Sequence, residues 1–422
     1  MGGISHILNL VGNTSMGSAQ KLNIPSDREE RLHYIRRLFS AAKGPDLELA
    51  WSGGRASGVR KLNAIDAIQY GRNRNFVNGA VTHLSPYLRH GCLTLSEVFA
   101  FVKKQSGIQA EKLLMELAWR DFWRQVWFAE GNAIFSEMEP PKVDIQYQPL
   151  SDAVKQANTG LPCMDGFVKE LLDTGYLHNH ARMWFASYIV HHLKMDWREA
   201  ADWFEAHLLD GDFASNHLSW QWIASTFSSK PYYFNKENLE RYTGGKYCAT
   251  CSAKCPFDAS YEALNARLFS PPIATIPKQY TIKSLPMKAA HRFQANAIYV
   301  HDEMLSAHNA LMDKPYPKIF VFDPVLCGHW SLNRLQFVAD CLHEMMSVEV
   351  WMGDTHEVFM QKGVGQVVTQ DTPNLTVKEI LAPFAPRWQP MEKLVNVRLS
   401  EKRLKRFSRY WEKVSPLLMP DI

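Results

Sequence analysis

A chain of 422 residues is long enough for two or three domains around a large buried core. With 46 % hydrophobic and 21 % charged residues it reads as globular, which argues against disorder, and a formal charge of +4 permits a local phosphate-binding patch without announcing one. No run of about 18 apolar residues occurs, and the start Met1-Gly-Gly-Ile-Ser5 lacks the basic and apolar segments of a secretory leader, so a cytoplasmic protein without a membrane span is expected.

Residues 1–50 form a polar start followed by a helical stretch around Arg28–Lys43. Trp51-Ser-Gly-Gly54 breaks that pattern. Beyond it, apolar residues recur at threes and fours in Val98–Val102, Leu113–Phe128, Phe167–Leu172, Trp184–Leu193 and Trp197–Leu209, the spacing of helices with one buried face. Residues 51–269 therefore read as one helical domain. Residues 270–317 read as a connecting stretch with a helix near Lys288–Leu311. The pattern changes at Lys318-Ile-Phe-Val-Phe-Asp323, a buried strand, followed by a helix at Leu332–Met346. Val348–Gly353 reads as a second strand, Thr355–Lys362 as a helix and Gln366–Thr369 as a third strand. Such alternation predicts a small parallel α/β sheet over residues 318–422. It ends in a helix, Leu399–Lys413, carrying Lys402, Arg403, Lys405, Arg406 and Arg409, either a solvated face or a nucleic-acid contact.

Three segments of the helical region hold more polar residues than packing needs. In Tyr70-Gly-Arg-Asn-Arg-Asn-Phe76 and Val81-Thr-His-Leu-Ser85, hydroxyls precede a helical run, which suits either a phosphate or a plain helix cap. In Glu116-Leu-Ala-Trp-Arg-Asp-Phe-Trp-Arg124, residues Glu116, Trp119, Arg120 and Trp123 share one helical face. That face can grip and stack on a base, or bury its Trp residues while Arg120 pairs with Glu116. The densest segment runs from Tyr176-Leu-His-Asn-His-Ala-Arg-Met183 through Asp196-Trp-Arg198 to Leu209-Asp-Gly-Asp-Phe-Ala-Ser-Asn216 and Ser219-Trp-Gln-Trp222. Its polar groups sit in an apolar setting where each must find a partner, and two Asp and an Asn cluster around a Gly.

Together these segments resemble the FAD-binding domain of the photolyase/cryptochrome family, over about residues 51–233. The resemblance implies a mainly α domain holding FAD in a folded form. Tyr70 and the turn Val81, Thr82, His83, Leu84, Ser85 would hold its phosphates. Asp210, Gly211 and Asp212 would hold the ribityl and isoalloxazine part, with Asn216 near flavin N5 and Arg182 paired to Asp210. It also implies damaged DNA as partner, with Arg74 on the backbone and Glu116 and Trp119 on a flipped pyrimidine dimer. Asn179, His180 and Met183 would line the rest of that pocket. Trp220 and Trp197 match the first two members of the family's electron-transfer chain, and Val154 stands at the third. His180 replaces the usual Arg of dimer-splitting enzymes, Val81 replaces a Thr, and Lys230-Pro-Tyr-Tyr-Phe-Asn235 lacks an Arg. The family commonly begins with an α/β antenna domain. Ile319–Pro324, Asn333–Phe337 and Glu349–Asp354 look like its second half, which implies a circular permutation that moves this part behind the helical one. The antenna pigment stays open.

Cys248-Ala-Thr-Cys251-Ser-Ala-Lys-Cys255-Pro256 gathers three thiols and resembles iron–sulfur ligation in one branch of that family, with Cys163 in place of a fourth ligand. Zinc and plain thiols are the alternatives, and Cys92, Cys327 and Cys341 read as core residues. The resemblance implies light-driven splitting of cyclobutane pyrimidine dimers by a monomer. A cryptochrome-like blue-light sensor, or an FAD and iron–sulfur redox protein that binds DNA without light, is the alternative.

Overall fold

The computed structural model describes residues 19–269, 284–289, 293–397, 400 and 404–420. The chain divides into two units. One comprises Met1–Ala64, His83–Val98 and Thr281–Lys393, and the other Ile65–Thr82, Phe99–Tyr280 and Leu394–Ile422. Both are discontinuous in sequence, unlike the contiguous ranges 1–50, 51–269, 270–317 and 318–422 read from the sequence.

Among its described residues the first unit holds one six-stranded sheet. Its strands are β1 (Gln20–Leu22), β2 (Ala295–Val300), β3 (Lys318–Phe322), β4 (Val348–Met352), β5 (Val364–Gln370) and β6 (Arg387–Gln389), in the order β1-β4-β3-β2-β5-β6. All neighbours are parallel except the edge pair β1–β4. The three strands and the helix Thr355–Lys362 expected between residues 318 and 369 form as read, within two residues at each end, and the helix near residue 332 covers Leu332–His343. The helix expected at Lys288–Leu311 does not form, because Ala295–Val300 is a central strand. Ile298 pairs with Lys318 on one side and Val368 on the other. A parallel strand buried on both faces reads as a plain apolar run, without the alternation that marks a half-exposed strand. The sheet core joins Tyr299, Ile319, Val321, Val358, Phe359 and Val367. Burying each such side chain is worth about 1.5–3 kcal/mol.

The second unit is helical among its described residues. Its long helix Glu111–Glu130 buries Leu113, Leu114, Leu117, Phe122 and Val126 and stops at Gly131, whose φ of 56° favours glycine. Asn179–Ser187 runs into a one-turn π segment at Tyr188–His192, and Trp197–His207 and Phe213–Ala224 pack on the same core. The final helix is Phe407–Leu418, later than expected; Leu399, Lys402 and Arg403 lie outside the described residues. Its basic entry is engaged within the chain, since Arg406 makes two hydrogen bonds to Glu139 at 2.6 and 2.8 Å. Among the described residues no helix is long and apolar enough to cross a membrane.

Candidate functional site

Local chemistry sets the turns that carry the polar residues of the helical unit. Gly175, in the left-handed region, closes the helix Pro162–Thr174, and its carbonyl accepts from Leu209 N–H at 2.8 Å. That bond ties the turn before Asn179 to the turn holding Asp210. His178 caps the next helix by accepting from His180 N–H, and Asp212 caps Phe213–Ala224 by accepting from Ser215 N–H at 2.8 Å.

The geometry brings Arg182 and Asp210 together as the resemblance implied. Arg182 Nη2 lies 3.1 Å from both Asp210 oxygens, and Nε donates to Leu177 O at 2.8 Å. Asn216 Nδ2 donates to Ala201 O at 2.8 Å. Among the described residues its Oδ1 and Arg182 Nη1 make no hydrogen bond and are not enclosed. Asp210, Gly211 and Asp212 are buried in the same turn. A donor and an acceptor left open beside two buried carboxylates fit a polar planar ring such as the isoalloxazine of FAD.

The helical unit carries two arginine–tyrosine–carboxylate groups. Arg182 lies over the Tyr176 ring at 5.6 Å, and burial pushes the Tyr176 phenol up to about 12. Arg74 lies over the Tyr70 ring at 5.9 Å, with its Nε 3.6 Å from Glu116 Oε1. Burial raises the Tyr70 phenol, and the Glu116 charge adds to it; burial also raises Glu116, against the pull of Arg74.

Other predicted residues fall differently. Arg120 does not pair with Glu116; its Nη2 reaches Asp212 Oδ2 at 2.9 Å. Trp123 is buried against Phe122 and Phe227. Both therefore leave the base-reading set, because helix packing turns one inward to an acid and the other into the core. Trp119 keeps a half-exposed position, but one face stacks on Phe407 at 3.8 Å and 11°. Asn179 is exposed. His180 stacks on Trp184 at 4.2 Å with Nδ1 2.8 Å from Asn75 O, and burial lowers its pKa. Met183 packs against the helical core. Val81 and Thr82 are half-buried residues of the helical unit, whereas His83, Leu84 and Ser85 belong to the sheet unit. There the helix Ser85–Arg89 is capped by Leu84 without a side-chain hydrogen bond, so the plain hydroxyl cap is not formed.

Trp220 and Trp197 are buried, as is Val154. The sequence reading missed Glu137. One of its oxygens, Oε1, accepts from both Trp197 Nε1 at 3.0 Å and Tyr147 OH at 2.9 Å. No spacing signals this, since the three residues lie on separate segments.

Cys163, Cys248, Cys251 and Cys255, the residues expected to hold a metal, interact electrostatically with one another. All four are free thiols, and among the described residues no group of three His, Cys, Asp or Glu could hold a metal ion. Burial pushes the Cys163 thiol up to about 12 and raises Cys248 and Cys255, and the neighbouring cysteine thiols add to each shift. Cys92, Cys327 and Cys341 are buried core residues as read.

Residues 113–321 match the family described as the FAD binding domain of DNA photolyase. A deoxyribodipyrimidine photo-lyase of Streptomyces griseus is 37 % identical over 149 residues, 35 % of this chain and 32 % of that protein. A chloroplastic/mitochondrial cryptochrome DASH of Solanum lycopersicum is 36 % identical over 165 residues, 37 % of this chain and 29 % of that one. The crystal structure of a Synechocystis cryptochrome aligns with 28 % identity and a TM-score of 0.44, covering 47 % of this chain and 46 % of that one. The chain spans about a third of the length of the curated relatives it matches.

Proposed function

The chain belongs to the photolyase/cryptochrome family, and on that premise we propose that its helical unit binds FAD and splits cyclobutane pyrimidine dimers in UV-damaged DNA under light. The observation that carries the reading is the Arg182–Asp210 pair with Asn216, whose open Nη1 and Oδ1 offer a donor and an acceptor on the neighbouring helices Asn179–Ser187 and Phe213–Ala224. Asp210 and Asp212 would hold the ribityl and ring edges, and Asn216 would face flavin N5. Tyr70 and the hydroxyl of Thr82 would serve the phosphates. Bound there, FAD would supply the light-excited electron donor that opens the cyclobutane ring.

The chain's own contribution is position and electrostatics. Arg120 anchors Asp212, and so holds the start of Phe213–Ala224 that carries Asn216. Arg74 would meet the DNA backbone, and its 3.6 Å approach to Glu116 would orient that half-buried carboxylate toward a flipped base. Asn179 and His180 would complete the lesion side. No metal is assigned to this reading.

A second reading, a cryptochrome-like light sensor, is favoured by one observation: Phe407 occupies a face of Trp119 that a lesion would otherwise stack on. The deciding experiment incubates the protein, with FAD fully reduced, on a UV-damaged oligonucleotide in blue light and in the dark. Dimer loss only in light is expected. Equal dimer content in both, with reduced flavin bound, removes the repair reading and leaves the sensor.

A further inference from the structure

The aromatic route toward the flavin turn, as the family resemblance assigns it, ends inside the protein. Trp197 is 0 % exposed, and Val154, at the position where an outer indole would continue the route, is 1 % exposed and aliphatic. An external reductant cannot reach Trp197, and a valine side chain does not yield an electron to an indole radical.

The geometry points to Tyr147 as the terminal electron donor of this route, with Glu137 as the base that takes its proton. This assignment rests on the flavin-binding reading above. Glu137 Oε1 accepts from the Trp197 indole at 3.0 Å and from the Tyr147 hydroxyl at 2.9 Å, so one carboxylate oxygen joins a buried indole to a half-buried phenol. Tyr147 can thus be re-reduced from outside while Trp197 cannot.

The electron balance is simple. FAD held at Arg182, Asp210 and Asn216 would supply a light-driven one-electron acceptor, and Trp220 and then Trp197 would carry the resulting vacancy, Trp197 as an indole radical cation. Tyr147 returns one electron to Trp197, and its O–H proton moves along the hydrogen bond to Glu137, leaving a neutral phenoxyl. An external thiol then supplies one electron to the phenoxyl, and Glu137 hands the proton back.

The surroundings couple the two transfers. The Arg198 guanidinium lies over the Tyr147 ring at 4.7 Å and its Nη1 is 3.9 Å from Glu137 Oε2. A cation over the ring disfavours a positive ring, so the electron leaves together with the proton. Burial, with the Glu137 charge beside it, raises the phenol pKa above its usual value, so the resting hydroxyl keeps its proton until oxidation. Asp196 holds Arg198 in place through bonds at 2.9 and 2.7 Å.

The test uses the flavin-loaded protein with a thiol present. Frozen under illumination, the wild type should give a tyrosyl signal by electron paramagnetic resonance, and Tyr147→Phe a tryptophanyl one. Photoreduction yield should fall by at least about tenfold in Tyr147→Phe and in Glu137→Gln. Flavin content, and dimer loss after chemical reduction, should stay at wild-type levels in Tyr147→Phe, which keeps the ring and loses only the hydroxyl. A tryptophanyl signal in the wild type, or wild-type photoreduction in Tyr147→Phe, overturns the assignment. A wild type that holds no flavin instead overturns the flavin reading on which it stands.

Discussion

Each unit buries an arginine–carboxylate pair, and the two are finished differently. In the sheet unit, Asp340 accepts from Arg31 Nε at 2.8 Å and from Gly53 N–H at 3.2 Å, with Arg28 at 3.5 Å. The side chains of Arg31 and Asp340 are 6 % and 3 % exposed, and both carboxylate oxygens are taken by the chain itself. Gly53 matters here because a Cβ would meet Phe337 O at 2.2 Å, so only glycine brings that N–H so close. In the helical unit, Arg182 is 23 % exposed beside Asp210 at 6 %, and its Nη1 stays open. A closed ion pair serves the fold. One that keeps a free donor in a buried turn has capacity left for a ligand.

Removing each acid is the way to break that contrast. Asp340→Ala strands Arg31 and the Gly53 N–H in a dry site, and should cost about 3–5 kcal/mol of stability in urea unfolding. A loss under about 1 kcal/mol would mean that Arg31 finds water and that the pair is not closed. Asp210→Ala should cost less stability, about 1–2 kcal/mol, because Arg182 already reaches solvent. Its main effect is on the ligand: the variant should purify colourless or nearly so, with flavin content down at least about tenfold, about 1.4 kcal/mol of binding. Wild-type flavin content in that variant would end the contrast.

The effect that vanishes at neutral pH sharpens the description of the sheet unit. His90 lies between Trp330 and Phe337, and burial, then Arg89 and Arg334, push its pKa from 6.5 down to about 3. The unfolded chain binds a proton below 6.5 that the native ring refuses. Stability is therefore complete above that pH and falls as pH drops toward about 3, by up to about 1.4 kcal/mol per pH unit. His90→Gln should flatten that acid limb in unfolding titrations between about pH 6 and 4 by one proton. An unchanged slope would show that His90 is not held neutral.

How much of this was legible depends on the range of the interaction. Helices such as Glu111–Glu130 and Trp197–His207 announce themselves, because apolar residues three and four apart share one face of a continuous segment. The motifs around Asn179, Asp210 and Asn216 were readable for the same reason, being short and dense. The strand Ala295–Val300 was misread because its character comes from partners on either side in the sheet, not from its own neighbours. Arg120 was offered Glu116 by spacing and took Asp212, 92 residues away, since the fold sets the caps of Phe213–Ala224 against the long helix. The thiols of Cys248 and Cys251 look like ligands by spacing alone. The fold adds Cys163, from the distant helix Pro162–Thr174, to the electrostatic surroundings of Cys248 and Cys255.

From the chain of residues alone came the helical and α/β halves, the polar turn suited to a flavin, and the absence of a Trp at position 154. Folding in three dimensions decided which charges close on one another, that Phe407 covers Trp119, and that Glu137 joins Trp197 to Tyr147. Local propensity acts over a turn or two of backbone, while hydrogen bonds, stacking and ion pairs depend on distances of a few ångströms between segments that only the packed chain brings together.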